Sequence, residues 1–120
     1  MDLKHFTLAE FDSPDLKGSG ALYMNSIFLE MLEDARDLCD FPFIITSGYR
    51  TPAQNTKVGG KPRSAHRKGL AADISAKTGP IKYAIIEAAI LAHFKRIGIG
   101  SNFIHLDNDL SLPNPTIWTY

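Results

Sequence analysis

SAHRKGLAAD, residues 64–73, closes the longest stretch of this 120-residue chain that follows neither a helix period nor a strand period. It places His66 seven residues before Asp73, with Gly69 and the alanines at 71 and 72 leaving room for backbone to approach closely. Upstream, residues 47–69 (SGYRTPAQNTKVGGKPRSAHRKG) are punctuated throughout by Gly and Pro. A loop of that length inside a small domain is usually either functional or disordered. Its ending in a His and an Asp points to function. Pro52 predicts a short helix within it, running through Val58.

Working outward, residues 70–75 (LAADIS) and 43–47 (FIITS) read as short strands on either side of the loop, the latter bounded by Pro42 and Gly48. Over residues 21–38, Met24, Ile27, Phe28, Met31, Leu32, Ala35 and Leu38 recur at the three–four spacing of an amphipathic helix. Thr7 is placed to cap an earlier single turn carrying Phe6, Leu8 and Phe11, ahead of an SPDLKGSG loop. A second long helix is predicted over residues 80–96, opened by Pro80 and closed at Gly98. Ile81, Ala84, Ile85, Ala88, Leu91 and Ala92 line one face, and His93, Lys95 and Arg96 complement the C-terminal dipole. Residues 97–99, 103–107 (FIHLD) and 116–120 (TIWTY) follow as strands of an antiparallel meander. The order predicts one α+β domain over residues 1–120: a small antiparallel sheet with helices packed on one face.

Composition narrows the function. Lys plus Arg and Asp plus Glu number 13 each, so the formal charge is zero. A nucleic-acid partner needs a net basic face, and an anionic membrane surface would also select for one; neither is expected. No apolar run approaches the length of a membrane span. The first residues, MDLKHFTLAEFDSPD, lack the apolar core of a signal peptide, which predicts a product that starts in the cytoplasm. Cys39 stands alone, so it makes neither an internal disulfide nor a cysteine zinc site, and it reads as a buried small apolar residue. A monomer is expected.

In FIHLD, strand alternation sends His105 and Asp107 to one face and Ile104 and Leu106 to the other. Catalytic zinc takes three protein ligands and leaves one position open. With no cysteine set available, His66, Asp73 and His105 supply that number. Two imidazoles and one carboxylate leave a zinc centre cationic, which would bring the pKa of a bound water to roughly 7.

These residues also carry a resemblance. SAHRKGLAAD resembles the SxHxxGxAxD signature of the zinc D-Ala-D-Ala carboxypeptidases, whose wider group includes D,D-dipeptidases, phage L-alanyl-D-glutamate endolysins and the hedgehog amino-terminal domain. SGYRTPAQN resembles the arginine-bearing segment of that family. From Phe6 to Tyr120 the chain looks like its short, phage-associated branch. The resemblance implies a hedgehog/D,D-peptidase-like fold, one Zn2+ per chain on His66, Asp73 and His105, and a peptidoglycan stem peptide as substrate. It implies substrate binding by Arg50, Ser64 and Gln54, with Arg50 also steadying the oxyanion. Many relatives carry an acid three residues before the last zinc histidine. Here that residue is Asn102, so Asp107 is expected to act as the acid/base in metal-assisted amide hydrolysis, with a structural role as the acceptor that orients His105 as its alternative.

Blander readings stand beside these. His5 and His93 read as surface or capping residues. Lys57, Lys61, Arg63, Arg67 and Lys68 make either a solvated loop or an attraction for substrate carboxylates. Trp118 and Tyr120 are expected to close the core at the last strand, with carbohydrate stacking as the alternative. A non-catalytic zinc-containing binding or virion-assembly module of the same fold is the alternative to a cell-wall peptidase.

Overall fold

In the computed structural model, which describes residues 2–120, the first long amphipathic segment is two helices, α1 (Ser19–Tyr23) and α2 (Ser26–Asp37). The break falls at Asn25, whose side chain accepts a hydrogen bond from the Phe28 backbone N–H at 2.9 Å. Such a cap stabilises a helix start by about 1 kcal/mol. The Asn25 N–H in turn donates to the Gly69 carbonyl at 2.9 Å, which ties α2 to the loop carrying His66. Gly69 has φ +70, and a Cβ there would lie 1.9 Å from the Tyr23 carbonyl oxygen, so only glycine fits. Ahead of α1, Leu8–Phe11 form the expected single turn, of 3-10 type, with Thr7 and Glu10 closing a capping box. Pro52 opens α3 (Pro52–Lys57), which Thr51 caps.

The second long helix, α4 (Gly79–Leu91), ends five residues before the predicted Arg96. His93 takes φ +73. Its N–H bonds the Ile90 carbonyl, and the Phe94 N–H bonds the Ala89 carbonyl, the two bonds of a Schellman stop. Phe94 is buried and stacks edge-on against Phe28 at 5.9 Å. Burying a Phe is worth about 1.5–3 kcal/mol, which offsets the roughly 1–2 kcal/mol cost of a left-handed histidine. The chain therefore turns in at Phe94 rather than running on to Gly98, and Arg96 belongs to a strand.

Five strands form one sheet: β1 (Ile45–Ser47), β2 (Ala71–Ser75), β3 (Arg96–Ile99), β4 (Phe103–Asp107) and β5 (Thr116–Thr119), in spatial order β1-β2-β4-β3-β5. The β1–β2, β2–β4 and β4–β3 pairs are antiparallel. β5 departs from the expected meander. It crosses to the far edge of β3 and pairs with it in parallel, Arg96 opposite Thr116. The crossing is held by the Thr116 N–H on the Lys95 carbonyl at 2.9 Å and by the Arg96 guanidinium on the Pro113 carbonyl.

Ala72, Ile74, Ile97, Ile104 and Leu106 share one core with Phe28, Leu29 and Leu32 of α2 and Ile85, Ala88 and Ala89 of α4. Because strand side chains alternate, burying these residues sends Asp73, Arg96, His105 and Asp107 to the opposite face. The core and the polar face are thus one decision of register. Among the described residues, no helix is long and apolar enough to cross a membrane.

Candidate metal centre

A single row of paired residues crosses the polar face. Ser47 lies opposite Asp73, Asp73 opposite His105, His105 opposite Gly98, and Gly98 opposite Trp118. Strand register alone therefore sets Asp73 beside His105. His66 joins them from the loop, on a 3-10 turn (Ala65–Lys68) whose cap is Ser64, its hydroxyl accepting the His66 N–H at 3.3 Å. All three are buried, and one ligand atom from each lies within 4.8 Å of the other two.

The hydrogen bonds around the cluster fix where its ring protons sit. The His66 Nδ1 lies 2.7 Å from the Gly48 carbonyl, which can only accept, so Nδ1 must carry the proton. The His105 Nε2 lies 2.6 Å from the Asp107 carboxylate, which fixes its proton in the same way. The remaining nitrogens, His66 Nε2 and His105 Nδ1, face one oxygen of Asp73 at 3.2 and 3.0 Å. In neutral rings these are two lone pairs aimed at a third acceptor. Such an arrangement is stable only with positive charge among the three atoms, from added protons or from a cation. A tetrahedral zinc with bonds of about 2.0–2.2 Å spaces its donors about 3.3–3.6 Å apart, and the two distances from the Asp73 oxygen to the imidazole nitrogens fall just short of that spacing.

Electrostatics agree with that demand. Burial pushes the His66 imidazole below its ordinary pKa and so keeps it neutral. Burial also opposes charge on His105, but the carboxylates of Asp107 and Asp73 outweigh it and raise that pKa. For Asp73, burial is outweighed by both imidazoles, which hold the carboxyl well below its usual range. The second Asp73 oxygen accepts from Arg50 Nη2 at 3.3 Å.

Arg50 stands between two hollows. The larger, about 820 Å³, is lined by His66, Asp73, His105, Ser64, Lys61 and the aromatic side chains of Trp118 and Tyr120. The smaller, about 270 Å³, lies past Arg50 and contains Gln54, Glu10 and Asp12. Ser64 thus lines the larger hollow and Gln54 the smaller, while Arg50 lines both. The guanidinium is held by Ser47 Oγ at 3.0 Å and by the buried Asn55, and burial lowers its pKa.

Asp107 is on the floor of the larger hollow but is only 1% exposed. Its Oδ2 is taken by His105, and its Oδ1 by Arg96 Nε at 2.8 Å and by the Asp109 N–H at 3.1 Å. Asn102 is exposed in the turn between β3 and β4, its carbonyl bonded to the Ala76 N–H. Trp118 and Tyr120 do not close the core; both belong to the wall of the larger hollow. The register of β5 on β3 sets this, because it pairs Trp118 with Gly98 on the polar face and Ile117 with Ile97 on the other. His5 pairs with Asp37 at 2.6 Å on the surface.

Sequence reasoning missed Arg96, which helical periodicity placed at a helix end, and Asn55, which joins Arg50 to the Lys61 carbonyl. Only the Arg-x-Gly alternation of 96–98 carries a trace of the first. A family model described as Peptidase M15 matches residues 4–107. No curated protein matches the chain.

Proposed function

Because the chain belongs to the peptidase M15 family, whose members depend on zinc, we propose that it is a zinc-dependent murein peptidase. Its reaction would be hydrolysis of amide bonds in peptidoglycan stem peptides, as a D-Ala-D-Ala carboxypeptidase or a cross-link endopeptidase. The substrate class, and a setting in phage lysis, rest on the resemblance carried by SAHRKGLAAD. The observation that supports the reading best is the pair of imidazole lone pairs converging on one oxygen of Asp73.

His66 Nε2, Asp73 and His105 Nδ1 would hold the ion. When bound, it supplies a Lewis acid for the scissile carbonyl and for water. The chain's own groups do the rest. Gly48 and Asp107 fix the two rings by accepting their outer protons, as partners of metal-bound histidines do. Arg50 steadies Asp73 and, at the junction of the two hollows, can meet a substrate carboxylate or a developing oxyanion. The larger hollow takes peptide on the aromatic side, with Ser64 at its edge, and Gln54 meets the part that passes Arg50. With both its oxygens engaged, Asp107 is better suited to orienting His105 than to the acid/base role expected from the sequence.

That saturation of Asp107, together with Asn102 in place of an acid, favours one second reading: a zinc-containing module that binds without cutting. Zinc-loaded protein incubated with purified muropeptides separates the two by mass spectrometry. Released D-Ala or opened cross-links, lost in His66→Ala, supports the peptidase. Intact muropeptides with zinc still bound supports the module.

A further inference from the structure

The row that carries Asp73 and His105 continues to Gly98 and Trp118. Gly98 leaves a vacant place on the polar face, and the indole of Trp118 fills it. A Cβ at residue 98 would come within 2.8 Å of indole Cε2 and Nε1. From that seat the indole touches two groups at once. Its ring centre lies 5.4 Å from that of the His105 imidazole, and the Arg96 guanidinium carbon lies 4.9 Å over it. Both groups are partners of Asp107, His105 at 2.6 Å and Arg96 at 2.8 Å. One side chain therefore abuts both ends of the His105–Asp107–Arg96 chain, at whose middle Asp107 is 1% exposed. Charged hydrogen bonds on a sheet face hold their strength only where water is kept away.

We propose that Trp118, seated on Gly98, is a positioning residue for the metal centre. It locks the His105 ring so that Nδ1 faces Asp73, and it shields the Nε2–H bond to Asp107 from solvent. The purpose of this device rests on the zinc reading above; its geometry does not. β5 lies beyond the residues matched by the family model, so the match itself assigns nothing to Trp118.

The test begins with metal-free, 15N-labelled protein. The wild type is expected to show the His105 ring Nε2 proton as a downfield, slowly exchanging NMR signal. Trp118→Ala, and Gly98→Ala, which unseats the indole, are expected to lose that signal to solvent exchange, while Trp118→Phe keeps it. Circular dichroism establishes that each variant is folded. Where the alanine variant does not fold, Trp118→Leu keeps bulk at the seat without the ring and is read in the same way. Chelator competition is then expected to show zinc affinity about tenfold or more weaker in Trp118→Ala and Gly98→Ala and near wild type in Trp118→Phe. Folded alanine variants with the protected proton and unchanged zinc affinity overturn the proposal. A wild type whose protected proton vanishes in the variants, but which binds no zinc, sinks the zinc reading alone and supports the positioning of His105 by Trp118.

Discussion

The carboxylate of Asp107 meets the Nε2 of His105 at 2.6 Å, and that contact turns the opposite ring nitrogen toward Asp73. The two residues sit on one face of β4 because Ile104 and Leu106 between and before them are fully buried on the other. An apolar alternation thus aims a polar pair.

Asp107→Asn tests what that pair does. The amide can still accept a hydrogen bond but no longer holds the ring as a charged acceptor does. Zinc affinity is expected to fall about 10- to 100-fold in chelator competition. A variant with wild-type zinc affinity and no turnover would instead restore Asp107 as the acid/base.

Arg50→Lys keeps the charge and loses the planar fork. A charged hydrogen bond is worth about 1.5–3 kcal/mol, so kcat/KM on stem peptides is expected to fall roughly 10- to 100-fold. Zinc should remain bound, because Arg50 holds only the Asp73 oxygen turned away from the imidazoles. Unchanged kcat/KM removes Arg50 from substrate recognition.

Much of this was readable in the linear sequence, for reasons that are local. The His66–Asp73 spacing and the FIHLD alternation depend on neighbours within a few residues, and both return as a buried cluster on one sheet face. What was not readable depends on distant pairing. Nothing in TIWTY says that its strand will pair with Arg96–Ile99 in the register that sets Trp118 opposite Gly98, yet that register puts Trp118 at the site rather than in the core. The stop of α4 was hidden because Phe94 ends the helix by tertiary burial, while His93, Lys95 and Arg96 read as the basic last turn of a longer helix. Arg96, misplaced for that reason, is a partner of Asp107.

Asp109 gives a pH dependence from a carboxylate outside the three proposed ligands. Burial raises its carboxyl pKa, but hydrogen bonds from Lys68 and Ser111 outweigh burial and hold it below the ordinary 3.8. A depressed carboxyl contributes stability that is complete above the unfolded value and is lost as pH falls through the folded one. In thermal melts, wild type should exceed Asp109→Asn in Tm at pH 7, with the gap closing below pH 3.8. A gap that does not narrow as the pH is taken down below 3.8 contradicts this assignment.

Leu32→Ala separates stability from function. Leu32 is fully buried between α2 and the sheet core, so denaturant unfolding is expected to show a loss of about 2–5 kcal/mol. Zinc affinity of the folded fraction should not change, since the cluster lies on the other face of the sheet. A matching fall in zinc affinity would mean that the core sets the ligand geometry.

The most direct measurement is an anomalous difference map from a crystal of zinc-loaded protein, recorded at the zinc edge. The expected result is one peak per chain, bonded at about 2.0–2.2 Å by His66 Nε2, an Asp73 oxygen and His105 Nδ1. A peak elsewhere, or no peak among these three side chains, contradicts the account.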